Sequence, residues 1–164
     1  MATPTGMQAA AIVRQSVADL KKACAGIDEA TASRAPEGRW SPKEILSHLL
    51  GREGQDWVTI ARLFLDKDTP TIDLHVETFF SGPRAQMSFA ALLARLEKDY
   101  EALAQLAAGL SSEQLARKAH IPLFKDSPLG EYPALGGFIG GLGAYHVTVH
   151  ADHMKEILGE LAAK

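Results

Sequence analysis

Trp40-Ser41-Pro42-Lys43-Glu44-Ile45-Leu46-Ser47-His48-Leu49-Leu50 opens a helix with its start signals in place. Ser41 is a capping residue, Pro42 fits the first helical position, and Glu44 stands three residues after the cap to close a capping box. Trp40, just before the cap, is placed to staple the entry on Ile45. The apolar period continues through Trp57, Ile60, Ala61 and Phe64. It predicts one helix over 41–66, weakened locally by Gly51 and Gly54.

The same period recurs on both sides of this stretch. Ile12, Val13, Val17, Leu20 and Cys24 form a stripe on a first helix over 7–25, with Gly26 as its stop. Phe89, Leu92, Leu93, Leu96, Tyr100, Leu103 and Leu106 mark a third over 86–109, with Ser88 as a cap and Gly109 as its end. Pro133 begins a fourth over 133–161. Ser111–Leu115 reads as a short capped turn of helix, and no stretch reads convincingly as a strand. The expectation is an all-α protein, a four-helix bundle in one domain over 1–164. The loop Asp68–Arg84 has no firm period, and a loop of that length in a compact domain is often functional.

Composition narrows the partners. The chain has 164 residues, 46% of them hydrophobic, with 17 Lys+Arg against 20 Asp+Glu and a formal charge of −3. Such a chain can bury a full core. It lacks the strongly basic surface that holds nucleic acid, and the polybasic segment of a membrane anchor. A single cysteine, Cys24, excludes an internal disulfide and the cysteine-based zinc knuckles. Its place on an apolar stripe reads as a buried, inert thiol. Met1–Gly6 lacks the basic and apolar regions of a secretory leader, and no apolar run is long enough to span a bilayer. A cytoplasmic protein is expected.

The chemistry concentrates in histidines. His146, His150 and His153 fall within about 60° on one face of the last helix. Their spacings of four and three let either pair place two imidazoles on one ion, and imidazole suits Zn, Ni, Cu and Fe. Ile139, Gly143 and Ile157 share that face, so these rings have apolar neighbours. Neutral imidazoles in such surroundings need polar partners, which a shared metal supplies at once. The plainer reading is three exposed or singly hydrogen-bonded side chains. His48, flanked by Ile45 and Leu49, looks inward from the second helix. Two histidines from one helix and one from another leave a coordination position open, as catalytic sites do. The glycine-dense run Gly136–Gly143 has neither the Lys-Ser/Thr of a phosphate loop nor a strand before it, and reads as close helix packing. His75 and His120 lie in the two irregular loops, at the border of a pocket if they act at all.

Two of these segments carry a family resemblance. Trp40-Ser41-x-x-Glu44-x-x-x-His48-Leu49 resembles the helix-two signature of the DinB/YfiT-like superfamily. Tyr145-His146-Val147-Thr148-Val149-His150-Ala151-Asp152-His153-Met154 resembles its closing motif. The resemblance covers most of Val13–Leu161. It implies an up-down-down-up four-helix bundle, commonly a homodimer. It also implies Zn or Ni held by one histidine of helix two and a His-x-x-x-His pair of helix four. His48, His146 and His150 match those positions. His153 stands where relatives often carry an amide, and is a substitute ligand, a neighbour of the site or a surface residue.

The activity implied is metal-dependent transfer of a low-molecular-weight thiol, or a related hydrolysis, on a small-molecule substrate. The metal would lower the pKa of the thiol or of a water. Arg52 or Arg84 would bind a carboxylate of such a thiol or substrate. Asp152 and Glu156 would either orient ligand imidazoles or serve only at the surface. The rival expectation is a small-ligand-binding or dimerisation module whose metal site is degenerate. A purely structural metal is a third.

Overall fold

The computed structural model describes residues 3–163. Met1 and Ala2 of the opening stretch, and Lys164 at the end of the expected domain, lie outside it.

Each predicted apolar stripe is buried as the face of a helix. The elements are α1 (Gly6–Ala23), α2 (Glu29–Ala32), α3 (Pro42–Leu50), α4 (Trp57–Asp66), α5 (Phe89–Ala108), α6 (Ser112–Leu115), α7 (Leu135–Gly141) and α8 (Thr148–Ala162). α7 and α8 are joined without a break by a π-helical segment, Leu142–Val147. No strand occurs among the described residues, only isolated bridges between Thr71 and His120 and between Lys118 and Ala134. α1 packs on α5 and on the α7–α8 rod, and α3 packs on α5 and α8. Leu20, Ile45, Leu49, Phe64, Leu96 and Phe138 meet in the core. Cys24 is buried there, and burial pushes its thiol up to about 12, which keeps it protonated and inert.

The local start signals act as read. Ser41 Oγ accepts from the Glu44 N–H while the Glu44 carboxylate accepts from the Ser41 N–H, both halves of a capping box. Ser111 and Gln114 form a second capping box at α6, and Ser88 caps α5 by accepting from the Ala91 N–H. α5 therefore starts at Phe89, and residue 86 belongs to a short 3₁₀ turn, Gly82–Gln86.

The helix expected over 41–66 is two helices. Gly51 ends α3 with φ of 77°, Gly54 follows with φ of 80°, and Asp56 caps α4 by accepting from the Thr59 N–H. Positive φ is inexpensive only for glycine, and Asp56 supplies the new start. The carbonyls released at the end of α3 must find other donors. The Trp57 indole N–H and the Tyr100 hydroxyl both donate to the Leu49 carbonyl, each at 2.8 Å. The Arg84 guanidinium donates to the carbonyls of Ser47 and Gly51.

The glycine run serves close packing on one side. A Cβ on Gly143 would lie 3.0 Å from Val13 Cα and 3.1 Å from Ser16 Oγ of α1. One on Gly136 would lie 2.5 Å from Thr3 Cγ2. The last helix begins at Leu135 rather than Pro133, and the π-helical turn carries His146. π-helical turns inside α-helices frequently mark functional sites.

Candidate metal centre

α3, the π-helical segment and α8 bring His48, His146 and His150 together. Each offers a ring nitrogen, and the three lie within 4.8 Å of one another. The rings stand edge to face, with centroids 4.6 Å apart for His48 and His150, 4.9 Å for His48 and His146, and 5.0 Å for His146 and His150. His48 Nδ1 lies 2.7 Å from the carbonyl of Glu77, which can only accept, so Nδ1 carries the proton. The lone pair of neutral His48 is thereby fixed on Nε2. That atom faces His146 Nε2 at 2.9 Å. His146 Nδ1 is buried with no hydrogen-bond partner in the protein.

Burial sets the charge state. Desolvation, reinforced by His48, lowers His146 to about 4. Desolvation together with the neighbouring imidazoles lowers His150 to about 3. Burial also lowers His48. All three rings are neutral at pH 7, the form that ligates a metal. Three neutral nitrogen donors converging from two separate helices fit a divalent cation of the imidazole-binding group.

His153 stands outside the triad. Its Nδ1 faces His150 Nδ1 at 3.3 Å, and its ring tilts against Trp40. Trp40 also stacks on His150, with 13° between the ring planes, and leans on His48. The residue before the cap thus braces the imidazoles. Glu156 is paired with Arg39 at 2.9 Å, exposed Asp152 lies 3.8 Å from Lys155, and neither carboxylate hydrogen-bonds a ligand ring among the described residues.

A cavity of about 1030 Å³ reaches the centre, with His48 and His146 in its wall. Arg52 lines it and makes no ion pair among the described residues. Arg84 does not: it is 3% exposed and spent on Ser47, Gly51 and Glu53, so the expectation that it could bind a substrate carboxylate is corrected. His75 lines the cavity with its Nε2 3.0 Å from Asp73 Oδ2, whereas His120 is held outside it by Glu131 at 2.8 Å. The Glu77 carbonyl was not foreseen. Main-chain contacts across 29 residues leave no mark on side-chain pattern; the length of the 68–84 loop was the available signal.

The DinB superfamily profile matches residues 12–154. The chain belongs to the DinB superfamily. Among solved structures, it is similar to YfiT from Bacillus subtilis, described as a probable metal-dependent hydrolase with an unusual four-helix bundle topology. That alignment has a TM-score of 0.78 at 19% identity and covers 99% of this chain and 90% of YfiT. An uncharacterised protein from Clostridium difficile 630 aligns with a TM-score of 0.67 at 14% identity, covering 99% of this chain and 98% of that one. No curated protein matches the sequence significantly. The bundle is thus the four-helix fold of this superfamily, and no helix among the described residues is long and apolar enough to cross a membrane.

Proposed function

We propose that this DinB-superfamily chain is a metal-dependent enzyme acting on a small molecule by hydrolysis or by transfer of a small thiol. The observation that carries the reading is the convergence of His48, His146 and His150, with His48 and His146 in the wall of a large cavity. Three protein ligands leave a position open, the arrangement of catalytic rather than closed structural sites. YfiT's description as a metal-dependent hydrolase supports the same reading.

His48, His146 and His150 would hold the ion; their imidazoles suit Zn, Ni, Cu and Fe, and the family resemblance favours Zn or Ni among them. When bound, it would supply a Lewis acid that lowers the pKa of a water or thiol. The remaining work falls to this chain's own residues. Glu77 fixes the His48 tautomer through its carbonyl, so His48 already presents its Nε2 lone pair to the centre. Arg52 carries a guanidinium on the cavity wall, suited to hold a carboxylate. His75, oriented by the Asp73 carboxylate on the same wall, is placed to take up a proton from a substrate in the cavity.

Metal content by mass spectrometry tests the reading, on untagged wild type beside His150→Ala. About one Zn or Ni per chain in the wild type, lost in the variant, is the expected result. Wild type that stays free of metal after reconstitution with both ions would overturn it, leaving a binding module on an inherited bundle.

A further inference from the structure

The cavity's walls say what kind of molecule the centre receives. Its volume of about 1030 Å³ lies at the top of the range, roughly 300–1,000 Å³, that holds drug-sized ligands. Most of the wall is hydrocarbon: Ile60, Leu74, Phe79, Phe124 and Phe138 line it, with glycine backbone at Gly137 and Gly141. Polar side chains are the minority: Arg52, Gln55, Asp73, His75 and Asp126, with Thr3 and Ser127, besides the two ligand histidines. At the rim stand Val76, Leu123, Leu129 and Tyr145, which are 66%, 46%, 37% and 71% exposed. Four of the seven large apolar residues most exposed among the described residues thus edge one cavity. Exposed apolar side chains gathered around one opening mark a binding site rather than the ordinary scatter of a surface.

A thiol or substrate covered with charged and amide groups would leave most of those groups without partners against these walls, a costly burial. We infer that the substrate is amphiphilic: one polar, reactive end at His48 and His146, and a large apolar acyl or aryl body along the wall formed by Phe124, Phe138 and Leu129. The inference rests on the metal-enzyme reading for the reactive end, while the body-binding wall is independent of metal. The glycine run of the last helix acquires a second role here. Gly136 and Gly143 let neighbouring segments approach, Gly141 lets Leu129 close on the helix, and Gly137 leaves the cavity unfilled. A Cβ on Gly137 would meet only the end of Leu129, at an ordinary 3.5 Å.

The test uses the whole chain and the dye 1-anilinonaphthalene-8-sulfonate, displaced by decanoate or by butyrate. Wild type should bind the dye, and decanoate should displace it at least tenfold more tightly than butyrate. Gly137→Leu fills the cavity, and Leu123→Asp puts a charge on its rim at a half-exposed position. Each should weaken decanoate at least tenfold, with unchanged metal content and circular dichroism. His150→Ala should lose metal and keep the dye. Equal displacement by the two acids, or wild-type binding in both cavity variants, would overturn the inference. So would dye binding that vanishes as protein concentration rises, because a second copy would then occupy the rim. Absence of metal together with chain-length-dependent binding would sink the enzyme reading and leave the apolar site standing.

Discussion

His48 and Glu77 are joined by a hydrogen bond of 2.7 Å from an imidazole Nδ1–H to a main-chain carbonyl. The contact ties the centre to the 68–84 loop, where Phe79 is held at φ of 53°, a conformation that costs a non-glycine residue free energy. Loading a metal on the opposite nitrogen makes the Nδ1 proton a stronger donor. Amide hydrogen exchange at Glu77–Phe80 should therefore slow severalfold when Zn or Ni is added. In His48→Ala the same amides should exchange rapidly with or without metal.

His153 touches His150 and not the triad's centre. His153→Ala should keep one metal per chain with an affinity about 10- to 100-fold weaker, the usual effect of removing a ligand's support. Competition with a chromogenic chelator measures it. Complete loss of metal would make His153 a ligand in its own right.

Acid should destabilise the metal-free protein through the buried imidazoles. An unfolded histidine titrates near 6.5, whereas His146 and His150 stay neutral down to about 4 and about 3 when folded. Between those values the unfolded chain holds more protons, so stability is full above pH 6.5 and falls as pH drops towards 4. Urea midpoints at pH 7.5, 6, 5 and 4 should trace that fall. The slope should be shallower in His150→Leu, which has one depressed group fewer.

Arg84→Ala should cost about 3 kcal/mol, because it strands the carbonyls of Ser47 and Gly51 in the core. Urea unfolding reads the loss. A cost below about 1 kcal/mol would mean that water replaces the guanidinium.

Two glycines of the last helix should respond in opposite directions to alanine. Gly143→Ala meets α1 main chain at 3.0 Å and should lower the melting temperature. Gly137→Ala enters ordinary contact and should raise stability by up to about 1 kcal/mol through helix propensity.

What the sequence made legible was local. Ser41 with Glu44, Ser88, and Ser111 with Gln114 are caps whose partners lie three residues away, so their pattern can be read directly. The histidine grouping was legible for a similar reason, since His146 and His150 share a helix. The break after Leu50 was half visible: Gly51, Gly54 and Asp56 mark it, but the apolar period runs straight through to Phe64. What closes it, Arg84 and Tyr100, arrives from 33 and 51 residues away. The π-helical winding under His146 has no period that the glycine run discloses. The cavity was invisible because its wall is assembled from many segments, none of which is unusual alone.

The His48–His146 contact spans 98 residues. Closing so long a loop costs entropy that the docked helices must offset. The first half of the chain supplies only His48 to the triad, and the last helix only His146 and His150. Metal capture is therefore a receipt for completed folding: partly folded or truncated chains lack the site, and the ion's occupancy counts only molecules in which the last helix has found the second.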